Sequence, residues 1–163
     1  MALIYLVRHA EPALRGVFLG SSDPPLSPTG LAQVQALSLP PLPIYASPLR
    51  RATATANGRP LTILPGLREI DYGPWDGLSW SEIESRFPTQ AAAKLADWTG
   101  FDIPGAEPWP AFTSRIAQTL PLCPPPAIIL AHLAVNSVIH SLLTGSSPLT
   151  FQQNYAEIVT LES

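Results

Sequence analysis

Three short apolar runs constrain this chain more than any other feature: Leu3-Ile4-Tyr5-Leu6-Val7, Ile44-Tyr45-Ala46 and Ile128-Ile129-Leu130-Ala131. None alternates with polar residues, as a strand with one wet face would, and each is too short for an ordinary helix. They predict strands buried on both faces, which are parallel strands with helices packed over each side of the sheet. Helix signals stand between them. Ser27-Pro28 and Ser47-Pro48 each pair a side chain that can accept from free N–H groups with a proline suited to the first helical position, predicting helices over about 28–38 and 48–57. After the third run, Val135, Val138, Ile139, Leu142 and Leu143 recur at helical spacing, and Gly145 supplies the stop. Ser79-Trp80-Ser81-Glu82 has capping-box spacing, and Ala91–Trp98 and Ala111–Leu120 fit helices, so residues 66–120 read as a mostly helical insertion. Ala156–Leu161 reads as a closing edge strand. The expected fold class is α/β: one domain over residues 1–163, a three-layer sandwich with a mostly parallel sheet, helices on both faces and the insertion lying over the strand ends.

Composition narrows the function. With 163 residues, 46% of them hydrophobic, the chain can bury one substantial core. Nine Lys and Arg against twelve Asp and Glu give a net charge of −3, which excludes the basic footprint of a nucleic-acid or anionic-membrane binder. Cys123, the single cysteine, can form neither an internal disulfide nor a thiol cluster for zinc, and it fits a reducing, cytoplasmic setting. The apolar stretch Ala2–Val7 is cut off by Arg8-His9, far short of a signal sequence or a membrane span, so a soluble, unexported protein is expected. Twenty prolines are the oddity. The clusters at Pro40-Pro41-Leu42-Pro43 and Pro121–Pro126 precede apolar runs and read as stiff connectors into strands.

Ligands of open α/β sheets bind beyond the carboxyl ends of the strands. The first run ends in Arg8-His9, the second leads to Arg50 and Arg51 in a helix's first turn, and the third ends in His132. Two of the three histidines and at least two arginines therefore converge on one edge. Guanidinium forks and imidazoles around one point suit a phosphoryl group, whose oxygens need several donors. No thiol or H-x-x-E-H pattern accompanies the histidines, so neither a metal nor any other cofactor is expected. His140, eight residues beyond His132, reads as structural or surface.

Five blocks, in order, resemble the histidine phosphatase superfamily, the phosphoglycerate mutase-like proteins. Leu6–Glu11 resembles the Arg-His-Gly signature, and Gly20–Gln33 is similar to G-x-x-D-x-P-L-[ST]-x-x-G-x-x-Q. Ser47–Ala56 resembles S-x-L-x-R-A-x-Q-T-A, Leu67–Gly77 resembles L-x-E-x-x-x-G-x-W-[ED]-G, and Ile128–His132 resembles the strand before the second catalytic histidine. The resemblance implies catalytic His9, Glu69, His132, Arg8 and Arg51, with His9 as nucleophile, Glu69 as proton donor and Arg51, not Arg50, as phosphate ligand. It further implies a substrate-binding set of Arg15, Gly20, Ser21, Glu107 and Leu133. The chain departs from the pattern at Ala10, where the family has Gly, at Pro12 and Arg15, where relatives carry Thr and Asn, and at Leu133-Ala134 in place of Gly. Arg15 is the candidate replacement for the missing donors, and Tyr72 and Trp75 are read first as core and second as shields of the site.

The implied partner is a small-molecule phosphate ester, with no nucleic acid, no membrane, and a homodimer left open. The implied reaction is phosphomonoester hydrolysis through a phosphohistidine. A mutase would need extra basic lining, and Lys94 is the only lysine. The D-x-P-L-S and W-[ED]-G blocks look most like the alpha-ribazole phosphatase branch of cobalamin synthesis, making alpha-ribazole 5'-phosphate one expected substrate. Phosphoglycerate mutase-type transfer and a noncatalytic phosphate-binding module are the alternatives.

Overall fold

The structure, a computed structural model, describes residues 2–163. Its sheet has five strands: β1 (Leu3–Arg8), β2 (Ile44–Ala46), β3 (Thr62–Ile63), β4 (Ala127–Ala131) and β5 (Ile158–Glu162), in the order β3-β2-β4-β1-β5. β1, β4, β2 and β3 are parallel, and β5 closes the edge antiparallel to β1. Six α-helices accompany it: α1 (Pro28–Ala36), α2 (Arg50–Thr55), α3 (Trp80–Arg86), α4 (Pro88–Ala96), α5 (Trp109–Thr119) and α6 (Leu133–Thr144). The three apolar runs form the sheet's interior, and every residue of β4 is buried.

Strand periodicity divides the core. Ile4, Leu6, Ile129 and Ala131 face α5 and α6, meeting Phe112, Ile116, Val135 and Ile139. Val7, Ile44, Ala46, Ile128 and Leu130 face the other way, against Ala56 beyond α2 and Leu37 beyond α1. Register then aligns the strand ends. Arg8 lies opposite Ala131, and Ala46 opposite Leu130, so the residues that follow, His9, His132 and Ser47, come together on one edge.

The insertion divides in two. α3 and α4 enclose a small core of their own around Trp75, Ile83, Ala91 and Ile103, joined by Phe18. α5 leaves that unit and packs on the sheet beside α6. Two expected helix starts resolve differently. Ser27 caps α1, its Oγ accepting from Gly30 N–H at 2.9 Å. Ser47 caps nothing, because α2 begins only at Arg50 and its first N–H donates to Asp23 Oδ1 at 2.7 Å. The Ser47 hydroxyl is engaged by His132 instead, at 2.7 Å from Nε2. β3 had no sequence signature, since both of its residues are exposed.

Candidate active site

His9 follows β1 and is 5% exposed. Its Nδ1 donates to the Ala10 carbonyl at 2.7 Å, and a carbonyl can only accept, so the proton sits on Nδ1 and Nε2 keeps its lone pair. Burial, reinforced by the Arg51 and Arg8 charges, lowers its pKa to about 3. The ring is neutral at pH 7 and nucleophilic at Nε2. His132 is wholly buried, with its ring centroid 5.2 Å from that of His9. Burial first, then His9 and the arginines, holds it well below the ordinary histidine range.

The turn that carries His9 is braced from two helices, α2 and the capped α1. Ala10 N–H donates to Thr55 Oγ1 of α2 at 2.9 Å, and Glu11 N–H donates to Gln33 Oε1 of α1 at 2.9 Å. Ser27 donates from its N–H to the Glu11 carbonyl at 2.9 Å and from its hydroxyl to Glu11 Oε1 at 2.7 Å. A Cβ at Gly30 would overlap the Glu11 carbonyl oxygen, so only glycine lets α1 approach this closely. Ser27, Gly30, Gln33 and Thr55, met in the sequence as motif letters, thus position the histidine.

Arg51 is 1% exposed, and its terminal nitrogens donate to the carbonyls of Ser22 at 2.6 Å, Gly20 at 3.2 Å and Leu19 at 3.3 Å. Asp76 holds the same loop from the insertion, accepting from Gly20 N–H, Ser22 N–H and the Ser22 hydroxyl. Arg50 is exposed. Arg8 donates to the Gln153 carbonyl at 2.7 Å and lies 4.1 Å from the Tyr155 ring centroid. Six buried side-chain polar atoms among the described residues have no hydrogen-bond partner, and three of them, Arg8 Nε, Arg51 Nε and His132 Nδ1, belong to neighbours of His9: Arg8 and Arg51 share its pocket and the His132 ring packs against its own. Such a concentration of orphaned nitrogens marks a place prepared for an anion.

Arg8, His9, Arg51 and Glu69 line a pocket of about 420 Å³ together with Leu133 and a set of aromatic side chains, among them Phe18, Tyr72, Trp98 and Tyr155. Glu69 is half-buried; burial raises its pKa to about 7 against the opposing pull of the Ile70 N–H bond and of Arg51. At neutral pH it can therefore both give and take a proton. Trp75 is wholly buried in the core of the insertion, while Tyr72 does line the pocket.

Of the remaining expected ligands, Glu107 alone borders this pocket. Arg15 does not line the pocket: its side chain is 66% exposed and its guanidinium sits 3.3 Å from Glu11. Gly20 and Ser21 line a neighbouring pocket of about 330 Å³, to which Glu69 also belongs. Glu107 borders both pockets, but its carboxylate is gripped by the Arg115 fork at 2.6 and 3.1 Å. His140 stands apart, packed on Phe151. Tyr155, 5.7 Å from His9 between ring centroids, was missed, because it sits in an irregular connection ahead of β5 where only its aromatic character could have drawn notice. No group of three or more His, Cys, Asp or Glu suited to a metal ion occurs among the described residues, and none of their helices is long and apolar enough to cross a membrane.

Residues 4–163 match the family profile described as Histidine phosphatase superfamily (branch 1). The chain belongs to that superfamily. It is 37% identical over 101 residues to phosphoserine phosphatase 1 of Hydrogenobacter thermophilus, a match over 54% of the chain and 48% of that protein. It is 30% identical over 128 residues to the adenosylcobalamin/alpha-ribazole phosphatase of Salmonella typhimurium, over 71% of the chain and 63% of that protein. The chain thus spans less than two thirds of the length of these curated relatives. In fold it superposes on the alpha-ribazole phosphatase from Shigella flexneri with a TM-score of 0.85, at 22% identity, covering 98% of this chain and 90% of that one.

Proposed function

We propose that this histidine phosphatase hydrolyses small-molecule phosphate monoesters through a phosphohistidine on His9. The observation that carries the reading is a neutral imidazole, its lone pair fixed on Nε2 by the Ala10 carbonyl, with three buried nitrogens on neighbouring side chains left without partners. Nε2 attacks phosphorus in line; the N–P bond forms, the ester P–O bond breaks, and Glu69 passes its proton to the departing oxygen. Arg8 and Arg51 stabilise the equatorial oxygens. Ser47 Oγ accepts from Leu49 N–H, and when its own hydrogen goes to His132 Nε2, the proton of His132 lies on Nδ1 and serves as a further donor. Water then attacks phosphorus, the N–P bond breaks, and Glu69 recovers a proton from that water.

Hydrolysis is favoured over mutase transfer because, beyond Arg8, His9 and Arg51, Lys94 is the single basic side chain among the pocket's lining residues and the remaining walls are largely aromatic and aliphatic, which is sparse basic lining for an enzyme that must keep its product for re-phosphorylation. The names of the relatives supply phosphoserine and alpha-ribazole 5'-phosphate for a first panel, the mutase alternative adds 3-phosphoglycerate, and p-nitrophenyl phosphate reads bare turnover. Rapid quenching with labelled substrate should trap an acid-labile, base-stable phosphoryl group on His9, absent from His9→Ala and unaffected by EDTA. Label on His132, or activity abolished by EDTA and restored by zinc or magnesium, would overturn the mechanism; binding without turnover would leave a phosphate-binding module.

A further inference from the structure

Lys94 is the only lysine in the chain, and α4 carries it into the wall of the active-site pocket. Surface lysines run their stems along the protein and leave the ammonium in water. Lys94 does not: it is 6% exposed. Its Nζ donates to the Phe101 carbonyl at 2.9 Å and stands 5.3 Å from the centroid of the Trp98 ring. An ammonium has three donors, and one is spoken for.

Its counter-charge is incomplete. Among the described residues no carboxylate oxygen comes within 4.0 Å of Nζ; Asp102 and Asp97 act on it only through space. Glu107 borders the same pocket, but both its oxygens are taken by Arg115. A cation withdrawn from water without a paired anion is destabilising, so its retention beside a ligand pocket calls for a counter-charge from the ligand. The side of the pocket is informative as well. Arg8 and Arg51 belong to the phosphate end, whereas Lys94 and Trp98 come from the α3–α4 unit, which supplies neither of those arginines.

We propose that Lys94 recognises a second anionic group at the far end of the leaving group. Resting on the phosphomonoesterase reading, this defines the substrate class as a phosphate ester whose alcohol has an apolar, preferably flat, body against Trp98 and ends in a carboxylate or a second phosphate. Such a substrate is held at both ends, and Lys94 separates it from esters of the same shape that end in an uncharged group.

The test compares phenyl phosphate with 3-carboxyphenyl, 4-carboxyphenyl and 4-(carboxymethyl)phenyl phosphate, and with the corresponding bisphosphate, in wild type, Lys94→Gln and Lys94→Arg. Gln keeps a donor for the Phe101 carbonyl and removes the charge; Arg keeps the charge. Wild type should prefer at least one doubly anionic ester, and Lys94→Gln should lower kcat/KM for it on the order of 10- to 100-fold, mainly through KM, the size of a charge-assisted hydrogen bond. Phenyl phosphate should change less than about threefold, and Lys94→Arg should retain the preference. A carboxylate or a phosphate arm responding alone identifies which anion is read. Equal losses for all esters, or no preference in wild type, overturn the proposal. If wild type turns over none of them, calorimetric binding of the matching phosphonates decides: weaker binding of the doubly anionic probe by Lys94→Gln upholds Lys94 while the hydrolytic reading fails, and unchanged binding sinks both.

Discussion

Arg50 and Arg51 adjoin in sequence and differ in surroundings. Neighbouring positions on a helix point about 100° apart, so only one of the pair can face the strand ends. Arg51 does, 1% exposed, while Arg50 stays in solvent. Arg51→Ala should lower turnover on the order of 100-fold or more, the loss of a strong transition-state donor, and steady-state kinetics should find Arg50→Ala within a few fold of wild type. Arg51 also ties down loop 19–22, so Arg51→Lys, which keeps charge but not the three-carbonyl grip, should fall between. Glu69 makes a different prediction. With a pKa of about 7 in the free protein, its acid form disappears as pH rises through 7, so kcat/KM for an alkyl phosphate should decline above that point. In Glu69→Gln that inflection should vanish, and single-turnover phosphorylation should suffer far more with an alkyl leaving group than with p-nitrophenolate, which departs nearly unaided. Equal losses for both esters would confine Glu69 to positioning or water activation.

At the scale of elements, α1 and α2 serve the site by bracing the turn after β1. Gly30→Ala should force α1 off the Glu11 carbonyl, lowering stability by about 1–3 kcal/mol as overpacking does and lowering kcat with it, measurable by urea unfolding and kinetics on the same sample. Thr55→Val is the complementary case: the Ala10 N–H loses its acceptor in a buried place, so kcat should fall while the pH profile set by Glu69 keeps its position. These elements were partly legible in the sequence. Buried parallel strands announce themselves by uninterrupted apolar residues, which is why β1, β2 and β4 were readable and exposed β3 was not. Ser27 and Ser47 present the same Ser-Pro signal, yet only Ser27 caps, because α2 starts three residues beyond Ser47, whose hydroxyl meets His132, 85 positions away. His9, Arg51 and His132 could be placed on one edge because the two histidines stand within two residues of the end of an apolar run and Arg51 stands in the first turn of the helix that follows another. Tyr155 and Lys94 could not, since a connecting loop and a helix of the insertion bring them in by packing that no local pattern records.

At the scale of the whole molecule, the buried site makes stability depend on pH with a sign that can be worked out. His9 and His132 are neutral when folded even in moderate acid, with His9 titrating at about 3 and His132 well below its ordinary range. Unfolded, each would titrate near the ordinary value of about 6.5. Below that point each takes up a proton on unfolding, so their contribution to stability falls as pH falls. Glu69 runs the other way. Its folded pKa of about 7 lies above the ordinary value of 4.5, so between those limits it is protonated when folded and releases a proton on unfolding, and its contribution falls as pH rises toward 7. Over roughly pH 5 to 6 these three groups sum to two protons taken up and one released. One net proton corresponds to a slope of about 1.4 kcal/mol per pH unit, stability increasing with pH. The three contributions together rise until about pH 7 and level off above it. Glu69→Gln removes the release and should roughly double the acid-side slope, whereas His132→Asn removes one uptake and should flatten it. Urea unfolding at several pH values reads both slopes, and a wild-type slope that neither substitution alters would show that the site is not buried as described.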